Sequence, residues 1–389
     1  MADDPKNPLH QAHEQAEAEF QAYADVQIVS TFGQPQAEYS AIRKGCGLID
    51  LPQRAILKVL GKDRLDFLNR FLTNQIVAKE GGQPMMAGSG TYAFLLNNKG
   101  RIAADMNVLE RGDHTLLETD VRNLPQIQPA LEKFVFSDDV RFEDCTATLH
   151  QIALHGPRAE QILSEVAPEL GQLPVLGSAS LRLMETDAII WRDDPAGVPG
   201  YFLILPAEAA GKIWSSLLTR FSTSPADQAQ PAKRRVWPTG WAAFNATRIE
   251  AGRPLFGIDF DGTVLPAETG QLARAVSFTK GCYLGQEIVA RMHARGQIAR
   301  LIVGIRMADD ALPMAASPVC DEQRNQVGVI SSSTISPILS NSAICLAMVK
   351  KQFAATGTTL LIPAEGTIRK GLVVDLPFLK PAAEGGREL

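Results

Sequence analysis

Metal-binding spacing is missing from this chain. Its five cysteines, Cys46, Cys145, Cys282, Cys320 and Cys345, are odd in number and widely scattered, which excludes a dense disulfide framework. No Cys-x-x-Cys pair occurs and the six histidines are dispersed, so neither zinc-site nor cluster-ligand spacing is present and no resident metal is expected. Among the histidines, His10 and His13 fall in a polar leader, where solvated side chains are expected. Positive charge is in short supply too: 38 Lys and Arg stand against 43 Asp and Glu, a formal net charge of −5. That balance argues against a constitutive nucleic-acid coat protein, although it leaves room for a local basic surface. No uninterrupted apolar run approaches the roughly 18 residues of a membrane span. The acidic start Met1-Ala2-Asp3-Asp4-Pro5 has neither the apolar core of a secretory signal nor the arginines of a transit peptide. A cytoplasmic protein with no membrane partner is the expectation.

A hydrophobic share of 45% with 21% charged residues is ordinary for a globular chain, and 389 residues predict two or three domains. Residues 9 to 25 read as a polar, Ala/Glu/Gln-rich helix. Gly47 to Leu51 is extended, Ala55 to Leu60 reads as a strand, and the stripe Leu65, Phe67, Leu68, Phe71, Leu72 marks a helix with Asp63 as N-cap. Thr91 to Leu96 and Ile102 to Leu109 flank the turn Asn97-Asn98-Lys99-Gly100, the signature of a β-hairpin, with Asp105 inside the second strand. A strand from His114 to Glu118, a helix near Asn123 to Phe134 and an extended Val140 to Glu143 follow. This alternation indicates an α+β architecture rather than a doubly wound sheet.

From Thr148 a second unit runs through a strand at Leu149 to Leu154, a helix at Pro157 to Val166, strands near Leu181 to Glu185, Ala188 to Trp191 and Tyr201 to Leu205, and a helix from Ala207 to Leu218. That order is a split βαβ arrangement with an extra strand. Ser222 to Lys233 reads as a linker, and Trp241 to Glu250 as a helix stopped by Gly252. Short strands at 299–306, 326–332, 343–349 and 367–374 predict a small β-barrel at the end of the chain. No tandem repeat is visible.

The run Lys280-Gly281-Cys282-Tyr283-Leu284-Gly285-Gln286-Glu287 places a thiol, a cation and two glycines in one short stretch. The glycines permit positive φ and close backbone approach, and Gln286 to Met292 reads as a short helix. A thiol beside a helix N-terminus and a lysine loses its proton more readily, which suits a nucleophile or ligand. The competing reading is a small hydrophobe packed in a core. Asp105, an acid in an apolar strand, is either a buried general base or a strand-edge residue facing water. Arg248, near its helix end, either grips a ligand carboxylate or pairs with an acid such as Glu250. Lys280, Arg291, His293, Arg295 and Arg300 form a cationic stretch that fits a polyanionic tail, an RNA or a solvated face, and it lacks the aromatic residues that stack on bases.

The Cys282 run closely resembles the signature of the YgfZ-type folate-binding proteins, which include mitochondrial relatives that help mature iron–sulfur proteins. Gly47 to Gln75, Thr91 to Leu109 and Arg248-Ile249-Glu250-Ala251-Gly252-Arg253-Pro254-Leu255-Phe256-Gly257 are similar to the wider aminomethyltransferase (glycine-cleavage T-protein) superfamily, as are Val327 to Ser336 and Gly371 to Phe378 to its terminal barrel. The resemblance covers roughly residues 40 to 380. It implies three domains around a central channel that binds tetrahydrofolate, pterin inside and glutamate tail toward the opening. The implied layout is a leader at 1–39, a folate-binding domain at 40–147 plus 234–297, a ferredoxin-like α+β domain at 148–233, a barrel at 298–380 and a tail at 381–389. Cys282 and Asp105 are the implied catalytic residues. Arg248, which matches the position that meets the folate tail, stands with Lys280, Gly281, Tyr283, Gly285 and Gln286 as implied cofactor-binding residues.

Three departures separate branches of that superfamily. The aminomethyltransferases carry an Asp-Asp pair where this chain has Ala104-Asp105, a Glu that reads the pterin where it has Val198, and an Asp where it has Cys282. Val198 cannot accept a hydrogen bond through its side chain. The resemblance therefore implies a tetrahydrofolate-binding accessory protein for assembly or repair of iron–sulfur clusters in client enzymes, including radical enzymes that modify tRNA, using Cys282 as a channel thiol. The alternatives are a folate-dependent aminomethyltransferase working through Asp105, and a non-catalytic tRNA-binding scaffold.

Overall fold

The computed structural model describes residues 7–77, 83–221, 235–295 and 298–380. The expected linker at 222–233 and the tail at 381–389 lie outside the described residues. Among the described residues no helix is long and apolar enough to cross a membrane. The architecture is α+β: two antiparallel-rich sheets packed toward each other, helices outside them, and a closed six-stranded barrel built from the C-terminal residues.

The first sheet has five strands in the order Gly90–Leu96, Ile102–Glu110, Thr115–Asp120, Arg54–Leu60, Arg141–Asp144. Alternation along these strands sorts their side chains by face. Leu57, Val59, Ala104, Met106, Val108 and Leu117 form one core with helices Arg64–Phe71 and Leu124–Glu132. Arg54, Asp105, Asn107, Glu118 and Asp120 take the opposite face, which looks toward the second sheet. Asp105 thus sits on an interior strand and not at a sheet edge.

The second sheet repeats the plan, in the order Ser178–Leu183, Thr186–Arg192, Gly200–Pro206, Leu149–His155, Gly47–Asp50, Trp237–Pro238. Each sheet is built on strand, helix, strand, strand, strand, helix, and in each the fourth strand of that series lies between the first and the third. The expected split βαβ with an extra strand is therefore present twice. Gly47–Asp50 and Trp237–Pro238 join the second sheet from outside 148–233, so that unit does not close on itself. Leu48, Ile152, Leu154, Ile190, Leu203 and Leu205 pack against helices Ala159–Val166 and Ala207–Phe221, while Ile49, Ala153, Trp191, Phe202 and Ile204 face the first sheet.

The leader corrects the expectation of one solvated helix. Within residues 9–25 only His10–Gln15 is helical; Glu19–Tyr23 and Val26–Thr31 form an antiparallel hairpin. The β-branched Val26, Ile28 and Val29 are buried, and this tertiary burial outweighs the helix propensity of the segment. His10 and His13 are buried rather than solvated: His10 packs on Phe20, ring centroids 4.7 Å apart, and the buried Asp50 carboxylate accepts from His13 Nε2 (2.9 Å), His150 Nε2 (2.6 Å) and Asn7 Nδ2 (2.8 Å). Burial alone would raise the Asp50 pKa, but the two histidines hold it well below the usual carboxylate range.

Candidate functional site

Between the two sheets lies a cleft of about 100 Å³, open to solvent at its mouth. Its floor is a polar grid fixed by strand register, with Asn107 opposite Glu118, Arg54 opposite Asp120, and Asp105 two residues from Asn107 on the same face. Its other walls are aromatic: Trp191 and Phe202, stacked with centroids 4.3 Å apart, and Trp241 and Phe244 from helix Trp241–Glu250. A flat heterocycle is the shape that a polar floor and an aromatic roof accommodate.

Internal hydrogen bonds leave an uneven remainder in this grid. Glu118 is saturated by Arg54 Nε (2.5 Å) and Nη2 (2.7 Å), Asn107 Nδ2 (2.8 Å) and Gln151 Nε2 (3.0 Å). Asp120 is likewise taken up by Tyr23 Oη (2.5 Å) and by the Arg122 backbone and guanidinium. Asp105 receives one donor on each oxygen, Asn123 Nδ2 at 2.9 Å and Tyr92 Oη at 2.8 Å, so a second lone pair on each stays open. Burial raises the Asp105 pKa, with Arg54 and the Tyr92 hydroxyl pulling the other way.

The far end of the cleft carries the opposite charge. Arg253 Nη2 and Arg274 Nη2 reach the two oxygens of Asp193 at 2.8 and 2.7 Å, which leaves one guanidinium charge uncompensated by that carboxylate. Arg274 also lies over the Tyr92 ring, 4.0 Å from its centroid. Burial would raise the Asp193 pKa, but the two arginines hold it below the usual carboxylate range. The site therefore offers both open acceptors and cations, with the Tyr92 ring between Arg274 and Asp105.

Of the residues expected from sequence, Asp105 lines the cleft. Cys282 does not. It is exposed on the loop ahead of helix Gln286–Arg295, so the expected channel thiol is a surface thiol. Lys280 is not its activating partner: the buried ammonium donates to Asn69 O (2.7 Å), Leu72 O (2.6 Å) and Asn74 O (2.8 Å), one carbonyl for each N–H, and burial pushes its pKa down to about 7. Gly285 takes a φ of +83°, with the Leu96 side chain 3.1 Å from where a Cβ would stand, whereas Gly281 has open space and no positive φ. Tyr283 is buried under Lys280, its hydroxyl unpartnered and its pKa pushed up to about 12 by burial. Gln286 starts the helix after the loop. None of this group is part of the cleft wall.

Arg248 is also outside the wall. Fully buried, it bonds Asp259 Oδ2 (2.6 Å), Ser332 Oγ (2.7 Å) and Asn245 Oδ1 (2.9 Å), and so ties its helix to barrel strand Gln326–Ser336. It also exchanges hydrogen bonds with the Arg253 backbone, Nη1 to Arg253 O at 3.1 Å and Arg253 N to Arg248 O at 2.9 Å. Arg248 thus positions Arg253, which does reach the cleft. Sequence reading missed Gln53, Asn107, Asp193 and Arg274 as site residues. The signal for Asn107 was its place two residues from Asp105 in a strand; Asp193 and Arg274, 81 residues apart, carry no local signal.

Fold and cleft together define an α+β protein of two facing sheets with a cleft between them and a closed barrel appended. Residues 9–280 match the GCVT N-terminal domain family and residues 300–380 the glycine cleavage T-protein C-terminal barrel domain. The chain belongs to the glycine-cleavage T-protein family. An aminomethyltransferase of Geobacillus kaustophilus is 28% identical over 381 residues, covering 97% of this chain and 99% of that protein. One from Chlorobium chlorochromatii is 28% identical over 382 residues, covering 96% and 98%. The crystal structure of the glycine cleavage system aminomethyltransferase T from Bartonella henselae superposes with a TM-score of 0.82 at 21% identity, covering 96% of this chain and 98% of that one, a likeness of fold.

Proposed function

We propose that this chain binds a tetrahydrofolate-type cofactor in the cleft and acts as an accessory factor for iron–sulfur client enzymes, presenting Cys282 to them at its surface. The observation that carries the reading is the separation of two chemistries: the acid faces the cleft, and the thiol lies outside it, exposed to solvent. The cleft fits folate in three respects. Its aromatic walls suit a flat ring, its open acceptors suit ring N–H donors, and the surplus charge of Arg253 and Arg274 suits an anionic tail. Val198, packed in the apolar core between the sheets, supplies no carboxylate to a ring. An exposed thiol is available to a protein partner without ligand displacement.

The test separates the two halves. Tetrahydrofolate should bind the purified protein, and Cys282→Ser should keep that binding yet fail to restore iron–sulfur enzyme activity in a deletion strain. Full restoration by Cys282→Ser would remove the thiol from the function.

A second reading, folate-dependent aminomethyl transfer, is favoured by Asp105, whose raised pKa and open lone pairs suit a proton-handling group. Formation of methylenetetrahydrofolate from an aminomethyl-lipoyl carrier at catalytic rates would put this reading first.

A further inference from the structure

Two buried oxygens on the cleft wall have no partner among the described residues. Gln53 Oε1 and Asn107 Oδ1 accept no hydrogen bond, although their residues are only 4% and 7% exposed. The Asn107 orientation is dictated by Glu118: its carboxylate only accepts, so the amide must point Nδ2 at it and Oδ1 away. Gln53 stands directly before strand Arg54–Leu60, its backbone carbonyl held by Val121 N at 3.0 Å. A buried acceptor without a donor is costly, and a native fold keeps one where a ligand or water completes it.

Once Glu118 and Asp120 are discounted as saturated, the open acceptors here are Gln53 Oε1, Asn107 Oδ1 and one lone pair on each Asp105 oxygen, beside the Arg54 guanidinium, whose Nε and Nη2 are taken by Glu118. These unfilled acceptors favour a ring edge that brings N–H donors to them.

Resting on the folate reading above, we infer that Gln53 and Asn107 are the specificity-determining acceptors of the cleft, recognising the 2-amino-pyrimidinone edge of a pterin. They do so through neutral amide oxygens, so the ring can be read without adding a further buried charge beside Asp105.

The experiment compares tetrahydrofolate with its 2-desamino analogue by calorimetric titration of the full chain. Wild type should prefer tetrahydrofolate by about tenfold or more, the effect of one unmatched hydrogen bond. Gln53→Met and Asn107→Leu should each bring that preference toward unity with little change in affinity for the analogue. Gln53→Met should melt no lower than wild type, since it removes an unsatisfied buried oxygen, whereas Asn107→Leu also takes a donor from the buried Glu118 carboxylate and should melt lower. If Asn107→Leu does not fold, Asn107→Ala, which withdraws the amide oxygen without adding bulk, serves in its place. Variants that keep the wild-type preference overturn the inference and leave the folate reading standing; a wild type that binds neither compound overturns both.

Discussion

Lys280 Nζ lies 2.6 Å from Leu72 O, at the point where helix Arg64–Phe71 ends. With Asn69 O and Asn74 O it completes a cage of three carbonyls around a buried ammonium. The same turn holds Arg274, since Asn74 Nδ2 donates to Arg274 O at 2.8 Å. One short segment therefore fixes both the loop that carries Cys282 and an arginine of the cleft. Cation and helix C-terminus are matched electrostatically as well.

Lys280→Met should destabilise the protein by about 2–4 kcal/mol, because three carbonyls lose their donor in a place water does not reach. Urea titration checks this. A change below about 0.5 kcal/mol, the range of ordinary surface substitutions, would show that the ammonium is not the anchor. The loop should also loosen, so limited proteolysis of Lys280→Met should cut between residues 276 and 285 under conditions that leave wild type intact.

Arg248 and Asp259 form a fully buried ion pair. Arg248→Met strands the Asp259 carboxylate and should cost about 3–5 kcal/mol. Adding Asp259→Asn removes the stranded charge and should recover more than half of that loss in urea titrations. A double variant no more stable than the single one would contradict the pairing. Because Arg248 reaches the cleft only through the Arg253 backbone, tetrahydrofolate affinity of the double variant should stay within about threefold of wild type; a loss of tenfold or more would give Arg248 a direct contact.

Much of this architecture was legible because it is local. Alternation from Ile102 to Leu109, the turn at Gly100 and the helix Trp241–Glu250 each follow from neighbouring residues, and the structure places them there. Asp105 could be singled out for the same reason: an acid inside an apolar alternation is anomalous wherever the strand lies. What could not be read was which faces meet. The cleft exists because two sheets of equal plan face each other, and nothing in the sequence repeats visibly to announce it. Lys280 and the thiol two residues later seemed a pair by proximity along the chain, yet the loop sends the ammonium into a helix end and the sulfur to the surface.

Asp193 makes the cleft's cationic end pH-sensitive in a defined direction. Its folded pKa lies below its unfolded value of about 3.9, so its stabilising contribution is complete above that pH and is lost as pH falls toward the folded pKa. Asp193→Asn should be less stable than wild type at pH 7, with Arg253 and Arg274 left facing each other. The gap, measured by urea titration, should be constant above about pH 5 and shrink as pH drops below about 4. A gap that is unchanged down to pH 3 would mean that the carboxylate is not what the two arginines hold.

Asp105 has the reverse linkage, and this sets a conflict between stability and chemistry at one residue. Its folded pKa is raised by burial, so its ionised form is disfavoured in the fold, and the cost grows as pH rises through the folded pKa. Asp105→Asn carries no charge at any pH and still fills the space beside Tyr92 and Asn123. At pH 7 it should be at least as stable as wild type in thermal melts, and any advantage should disappear below about pH 4, where the wild-type carboxyl is protonated in both states. If Asp105 handles a proton in one-carbon transfer, the same substitution should lower that rate by about 10²- to 10⁴-fold while tetrahydrofolate affinity changes little. If the protein acts solely through folate binding and the surface thiol, Asp105→Asn should instead complement a deletion strain. Stability at pH 7 below that of wild type would contradict the burial argument itself, because a carboxylate that the fold tolerates at a cost should not be missed when it is neutralised.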